Sequence, residues 1–249
     1  MTSPKMSKTK TPSPSVASAK KASSATPRYK PEAGYSRSEE TRRRILEAAI
    51  QQFGAHGFEG ASTREIAKEA GVNAPALAYH FDGKEGLYRA CAQYLVRESR
   101  ERLRPAIEKV QQVLANAPTR ADLIEAILLL QDARVDVVIG ADKDGARLRF
   151  VAQDQLGTGP EAMSQAVTVG DDWKLLATLI SAITGQPADD SLTLLRVISI
   201  QGQLMPFYFI PRLTKAMLGW PDFERERLTL IKTVARGQTR ALIDVWLQS

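Results

Sequence analysis

The sequence predicts an all-α protein: a three-helix N-terminal bundle followed by a larger helical domain. Apolar residues recur at helical spacing almost throughout the chain beyond Ser36. No alternating runs of β-branched residues bounded by hairpin turns stand out. Glycines and prolines punctuate the periodic stretches, as helix ends and starts require.

The organisation divides into three parts. Residues 1–35 are Ser, Thr, Pro, Lys and Ala with almost no large aliphatics. Such a stretch buries too little apolar surface to offset its conformational entropy, so a disordered basic tail is expected. Lys5, Lys8, Lys10, Lys20, Lys21, Arg28 and Lys30 face Glu32 alone there, which accounts for the whole net charge of +6. Residues 36–249 are therefore neutral overall. Residues 36–83 form the predicted three-helix unit, and residues 84–249 the larger helical domain. Cys91 is the single cysteine, which excludes an intramolecular disulfide and a cysteine-based metal cluster. No metal and no cofactor is expected. Apolar runs such as "IEAILLL" (124–130) are far too short to cross a bilayer, and no apolar h-region follows the N-terminal lysines. A soluble, cytoplasmic protein with no membrane partner is expected.

The first helix is read from Thr41, Ile45, Ala48, Ala49 and Phe53 on one face. Ser38 is its expected N-cap, Glu39 and Glu40 suit its first turn, and Gly54 and Gly57 end it. "STREIAKEAG" follows, with Ser62 and Glu65 at capping-box spacing and Ile66, Ala67 and Ala70 as a buried face. Gly71 supplies a left-handed stop. Asn73 caps a third helix, and Pro75 falls in its first turn, where a missing N–H costs nothing. Leu77 and Phe81, four residues apart, point inward. Asn73, Ala74, Ala76, Tyr79 and His80 then point outward. Helix, four-residue turn, helix, with Ala67 four residues before Gly71, is helix-turn-helix spacing. A nearly uncharged outer face ending in Tyr-His suits the floor of a DNA major groove, where methyls meet thymine methyls and polar tips reach phosphates or base edges.

Residues 37–95 resemble the DNA-binding domain of TetR-type transcriptional regulators. "RRRILEAAIQQFGAHGFEGASTREIAKEAGV" followed by "YHFDGKEGLYRA" carries the resemblance. Many members have Ser-Lys-Gly-Thr-Leu-Tyr where this chain has Asn73-Ala74-Pro75-Ala76-Leu77-Ala78, so base preference is left open. The resemblance implies a double-stranded DNA operator as partner. It places Thr63 and Arg64 at the start of the second helix, where Thr63 meets a phosphate. It places Asn73, Ala74, Pro75, Ala76 and Tyr79 at the bases. Tyr79, His80 and Lys84 fall where the family grips the backbone, and Lys84 also opens the next helix, where free N–H groups attract phosphate.

Beyond residue 84 the helical stretches run in series. Pro105 marks an expected break, Thr119 caps "TRADLIEAILLLQDARVDVVIG", and "ARLRFVAQDQLG" is a shorter helix. Pro160 and Gly185 bound the next, and Pro206 and Pro211 interrupt the one after. One stripe runs through Leu194, Val197, Ile198, Gln201 and Met205, another through Leu228, Ile231, Val234, Ala235, Leu242 and Trp246. Spacing alone does not separate intrachain core from association. The family's habit of pairing its last two long helices across a dimer implies a homodimer interface at Leu194, Val197, Ile198, Gln201, Leu228, Ile231, Ala235 and Leu242. "LRFVAQDQLGTGPEAM" and "VISIQGQLMPFYFIPRLTKAMLGW" are similar to one subgroup, the CecR type, related to regulators of antibiotic-sensitivity genes. A small-molecule effector is implied but not named. Phe150, Gln153, Trp173, Met205 and Tyr208 are candidate pocket residues, each with plain core as its alternative.

The expectation is a dimeric regulator, of repressor habit, released from a palindromic operator by a ligand. A ligand-independent architectural DNA binder is the alternative, and the neutral body of the chain disfavours it. An enzyme is not expected. His56 and His80 both fall within the helix-turn-helix region, and Cys91 has no nucleophile signature around it. "GAHGFEG" and "LGTGP" lack the strand context and the lysine of a phosphate loop. The pairs Asp171-Asp172 and Asp189-Asp190 sit near helix starts, where capping explains them.

Overall fold

The computed structural model describes residues 31–140, 145–157, 159–160 and 171–248. Among them there are helices and no strands. The N-terminal unit is α1 (Pro31–Gly60), α2 (Thr63–Glu69) and α3 (Ala74–His80). The rest comprises α4 (Gly83–Ala115), α5 (Arg120–Arg134) running into a π-helical turn (Val135–Ile139), and α6 (Ala146–Gln155). It continues with α7 (Asp171–Thr184), α8 (Ser191–Gly202), α9 (Met205–Phe209), α10 (Pro211–Leu218) and α11 (Arg225–Trp246).

Several expected boundaries move. α1 begins at Pro31 and not at Ser36, so the last residues of the expected tail are helical and Ser38 caps nothing. Residues 1–30 of that tail lie outside the described residues. Gly54 lies inside α1, and the break comes at Gly57, whose φ of 73° and ψ of 177° only glycine adopts without strain. Pro105 does not end a helix: α4 runs through it to Ala115. The lost hydrogen bond and ring clash cost about 3 kcal/mol. Burial of Leu103, Ala106 and Val110 around the proline offsets this. Pro206 and Pro211 instead sit at the starts of α9 and α10, where their missing N–H groups are harmless. The helix start expected at Pro160 leads into residues 161–170, outside the described set, while Gly185 ends α7 with φ 76°.

Three apolar clusters make up the core. The first holds Ile45, Phe53, Ile66, Leu77, Phe81 and Leu87 of the N-terminal unit and of α4. Phe150 of α6 joins it, so this core draws on residues well beyond position 83. The second packs the C-terminal half of α4 with α5, α7, α8 and α11. The third joins the π turn to Leu148, Tyr208, Ile231 and Ala235. Between the last two, Gln131, Gln203 and Thr239 close a ring of hydrogen bonds. Gln131 Nε2 donates to Gln203 Oε1 at 3.1 Å, Gln203 Nε2 to Thr239 Oγ1 at 3.1 Å, and Thr239 Oγ1 to Gln131 Oε1 at 3.0 Å. The ring ties α5 and α11 to the α8–α9 junction and satisfies polar groups whose burial would otherwise be costly.

α6 joins the N-terminal unit to the larger domain. The carbonyl oxygen of Ala146 lies 2.4 Å from where a Cβ on Gly54 would stand. Arg149 Nε and Gln153 Nε2 donate to the Gly54 carbonyl at 3.1 and 3.4 Å. Gly54→Ala is therefore expected to force α6 off α1. A loss of about 1–3 kcal/mol follows from overpacking a tight contact. Calorimetry should show a fall of several degrees in Tm, whereas an unchanged Tm would mean the two helices are not held this closely.

Candidate nucleic-acid interface and effector cavity

The geometry of the α2–turn–α3 segment follows from local chemistry. Ser62 Oγ accepts from the Glu65 N–H at 3.5 Å and starts α2. The chain leaves α2 through Gly71, φ 65°, with Val72 N–H donating to Ala67 O at 2.9 Å. Asn73 Oδ1 accepts from the Ala76 N–H at 2.9 Å and starts α3. Leu77 and Phe81 are buried and anchor α3. The opposite face is then fixed outward. Asn73, Ala74 and Pro75 are exposed, Ala76 and His80 are half-buried, and Tyr79 is 85% exposed with its ring edge-on to His80. On α2, Arg64 is exposed and Thr63 half-buried.

Lys84 behaves differently from its expected role as a simple phosphate ligand. Its Nζ donates to the Glu59 carbonyl at 3.0 Å and lies 4.9 Å from the centre of the Phe58 ring. It clamps the start of α4 to the end of α1. An ammonium has three N–H donors, so the clamp leaves others for a second partner. Arg42, over the Phe81 ring at 5.2 Å, is a further cation beside α3 that helical periodicity did not single out.

A cavity of about 530 Å³ opens where the three apolar clusters meet. This is the size of a drug-sized ligand site. Its walls come from α4, the end of α5, the π turn, α6, α7 and α9. Of the five candidate pocket residues, Trp173, Met205 and Tyr208 line it. Phe150 and Gln153 do not. Phe150 lies between Tyr88 (4.6 Å between ring centres) and Phe53 (6.3 Å), its ring tilted to both, and Gln153 turns to Gly54. Both residues lie on the face of α6 that grips α1. The opposite face of α6, carrying Arg147, Leu148, Val151 and Gln155, lines the cavity. Composition alone cannot distinguish these two faces.

The polar part of the cavity was not apparent from the sequence. Arg134 pairs with Asp172 across α5 and α7, and Glu98 pairs with both Arg102 and Arg147. Arg134, a lone cation at the end of an apolar run, was the available signal. Tyr208 Oη lies beside the Arg134 guanidinium without hydrogen-bond geometry. Burial pushes the Tyr208 phenol up, and the Arg134 charge opposes that. Tyr208 Oη and Arg134 Nε are both shielded from solvent with no hydrogen-bond partner among the described residues. Each such group costs about 1–3 kcal/mol. The π turn next to Arg134 brings Val137 and Val138 into the wall, and π segments often mark functional positions.

The predicted interface stripes divide. Val197, Gln201, Ile231 and Ala235 are buried inside the chain, so they cannot face a partner. Leu228 and Leu242 are half-buried. Leu194 and Ile198 are exposed, and Leu195, Leu230, Val234 and Val245 join them on the outer faces of α8 and α11. The four buried positions fall inside because each helix is apolar on more than one face, and spacing does not say which face is outermost.

No described helix is long and apolar enough to cross a membrane, and no group of three or more metal-ligating residues occurs among the described residues. The profile of "Bacterial regulatory proteins, tetR family" matches residues 45–91. That of "HTH-type transcriptional dual regulator CecR, C-terminal domain" matches residues 173–244. The HTH-type transcriptional dual regulator CecR of Shigella flexneri is 32% identical over 196 residues, 78% of this chain and 86% of that one. The regulatory protein RaaS of Mycobacterium tuberculosis is 45% identical over 76 residues, 30% of this chain and 32% of that one. Among solved structures, a TetR-family regulator of Mesorhizobium loti has a TM-score of 0.53 at 20% identity, covering 85% of this chain and 97% of that one. AibR, solved with isovaleryl coenzyme A and operator DNA, has a TM-score of 0.57 at 17% identity, covering 80% and 97%. Both of these curated relatives are named as transcriptional regulators. With the helix-turn-helix at one end and a CecR-like helical domain at the other, this chain belongs to the TetR family of DNA-binding transcriptional regulators.

Proposed function

We propose that the protein is a homodimeric repressor that leaves a palindromic operator when a small molecule fills the cavity. The observation that carries this is the double contact of α6. One face lines the cavity and the other holds Gly54 and the core of the DNA-binding unit. A ligand that fits only one placement of α6 shifts the population towards it, and only that difference in affinity moves the equilibrium. AibR, solved with isovaleryl coenzyme A and operator DNA, is a relative in fold that takes both a small molecule and DNA.

Asn73, Ala74, Pro75, Ala76 and Tyr79 are assigned to the groove, and Thr63, Arg64, His80 and Lys84 to phosphates. The outward face of α3 supports this, as does the position of Lys84 at the start of α4. The exposed apolar residues on α8 and α11 support a two-fold dimer, because large apolar side chains left bare in this number favour association. Gly237 and Ala241 lie on the same exposed face of α11, where small side chains permit close helix approach.

Titration with a genomically selected palindrome and with random duplex, at several salt concentrations, tests the proposal. Equal affinity for both would overturn it. Tyr79→Ala should weaken operator binding by about 1–3 kcal/mol with little change for random duplex. Lys84→Met should weaken both alike and lower the salt slope by about 1. The same substitution should lower Tm without DNA, since the Glu59 carbonyl loses its donor. Ile198→Glu places a charge in the proposed interface. Light scattering should then give a mass falling from twice to once the 27.4 kDa of the chain.

A further inference from the structure

The cavity has a chemical polarity that narrows its ligand. Among the described residues, Arg100, Arg102, Arg134 and Arg147 line it with two carboxylates, Glu98 and Asp172. Its remaining wall is largely apolar, including Leu103, Val138 and Met205. At the Arg134 end, two buried donors, Arg134 Nε and Tyr208 Oη, find no acceptor among the described residues. They sit on α5 and α9, beside the Arg134–Asp172 pair and next to the Trp173 ring, whose centre is 6.0 Å from the Arg134 guanidinium. An incoming carboxylate would supply the acceptors both donors lack, and the planar guanidinium presents a fork that matches two carboxylate oxygens.

We propose that the cavity binds a small amphipathic organic anion, its carboxylate held by Arg134 and Tyr208 and its body against Leu103, Val138 and Met205. This deepens the effector assignment and rests on it only for the consequence at the operator. Asp172 competes with the ligand for the same guanidinium. Entry of a carboxylate therefore loosens the tie between the end of α5 and the start of α7.

Isothermal titration of the full-length protein with octanoate and naphthoate, each against its neutral alcohol, tests the class. The acids should bind roughly tenfold or more tightly than the alcohols, as a charge-assisted contact requires. Arg134→Gln should bring acid and alcohol within about twofold of each other. Tyr208→Phe should weaken the acid several-fold and leave the alcohol unchanged. Asp172→Asn should tighten the acid by removing its competitor. Arg134→Gln combined with Asp172→Asn avoids a buried unpaired carboxylate if the single variant misfolds, and should abolish the preference too. The proposal is overturned if neither acid binds, if alcohols match acids, or if the variants change both alike. Operator affinity on the same samples separates the two layers. Preferred acid binding without operator release overturns the effector role alone. Release by the alcohol as effective as by the acid overturns the ligand class alone.

Discussion

The arrangement depends on one close approach, the backbone of α6 against the backbone of α1 at Gly54. A side chain there would collide with the Ala146 carbonyl, so the contact exists only because position 54 has none. Arg149 and Gln153 then reach the Gly54 carbonyl, and Phe150 enters the aromatic group of Phe53, Phe58 and Tyr88. Tyr88 also meets Asp154 of α6, and its phenol is pushed up first by burial and then by that carboxylate. The larger domain thus contributes side chains to the core of the DNA-binding unit. Close-packed interiors repack between discrete arrangements more readily than they stretch. A shift of α6 therefore cannot be absorbed locally.

α4 is the second connection. Its first turns pack in the DNA-binding core, with Cys91 fully buried and its thiol pushed up by that burial. Its middle lines the cavity through Leu95, Val96 and Ser99, and its end packs against α5. Glu98 pairs with Arg147, so the two connecting helices are bound to each other at the cavity rim. Polar constraint is concentrated there and in the Gln131–Gln203–Thr239 ring, while the outer faces of α8 and α11 are left apolar and bare. That contrast separates a polar-tied interior from bare apolar outer faces.

How much was legible depends on the range of the forces involved. The α2–turn–α3 unit was read correctly, because Ser62, Gly71 and Asn73 act through bonds three to five residues long. Pro105 does not break α4 because the cost of a helical proline is local while the burial that offsets it comes from α5. Phe150 was placed in the cavity because an aromatic residue on a short amphipathic helix has no intrinsic side. The cavity's Arg134–Asp172–Tyr208 cluster joins residues separated by tens of positions, beyond the reach of any periodicity.

By itself the sequence determined the helical class, the caps and turn of the DNA-binding unit, and the outward face of α3. These follow from backbone geometry and short-range hydrogen bonds that each residue type carries with it. Tertiary structure alone decided which face of α6 meets the cavity, which apolar stripes of α8 and α11 stay outside, and which buried polar atoms lack partners. Those outcomes depend on what distant segments bring to the same point in space, and packing selects among several faces that are equally apolar in sequence.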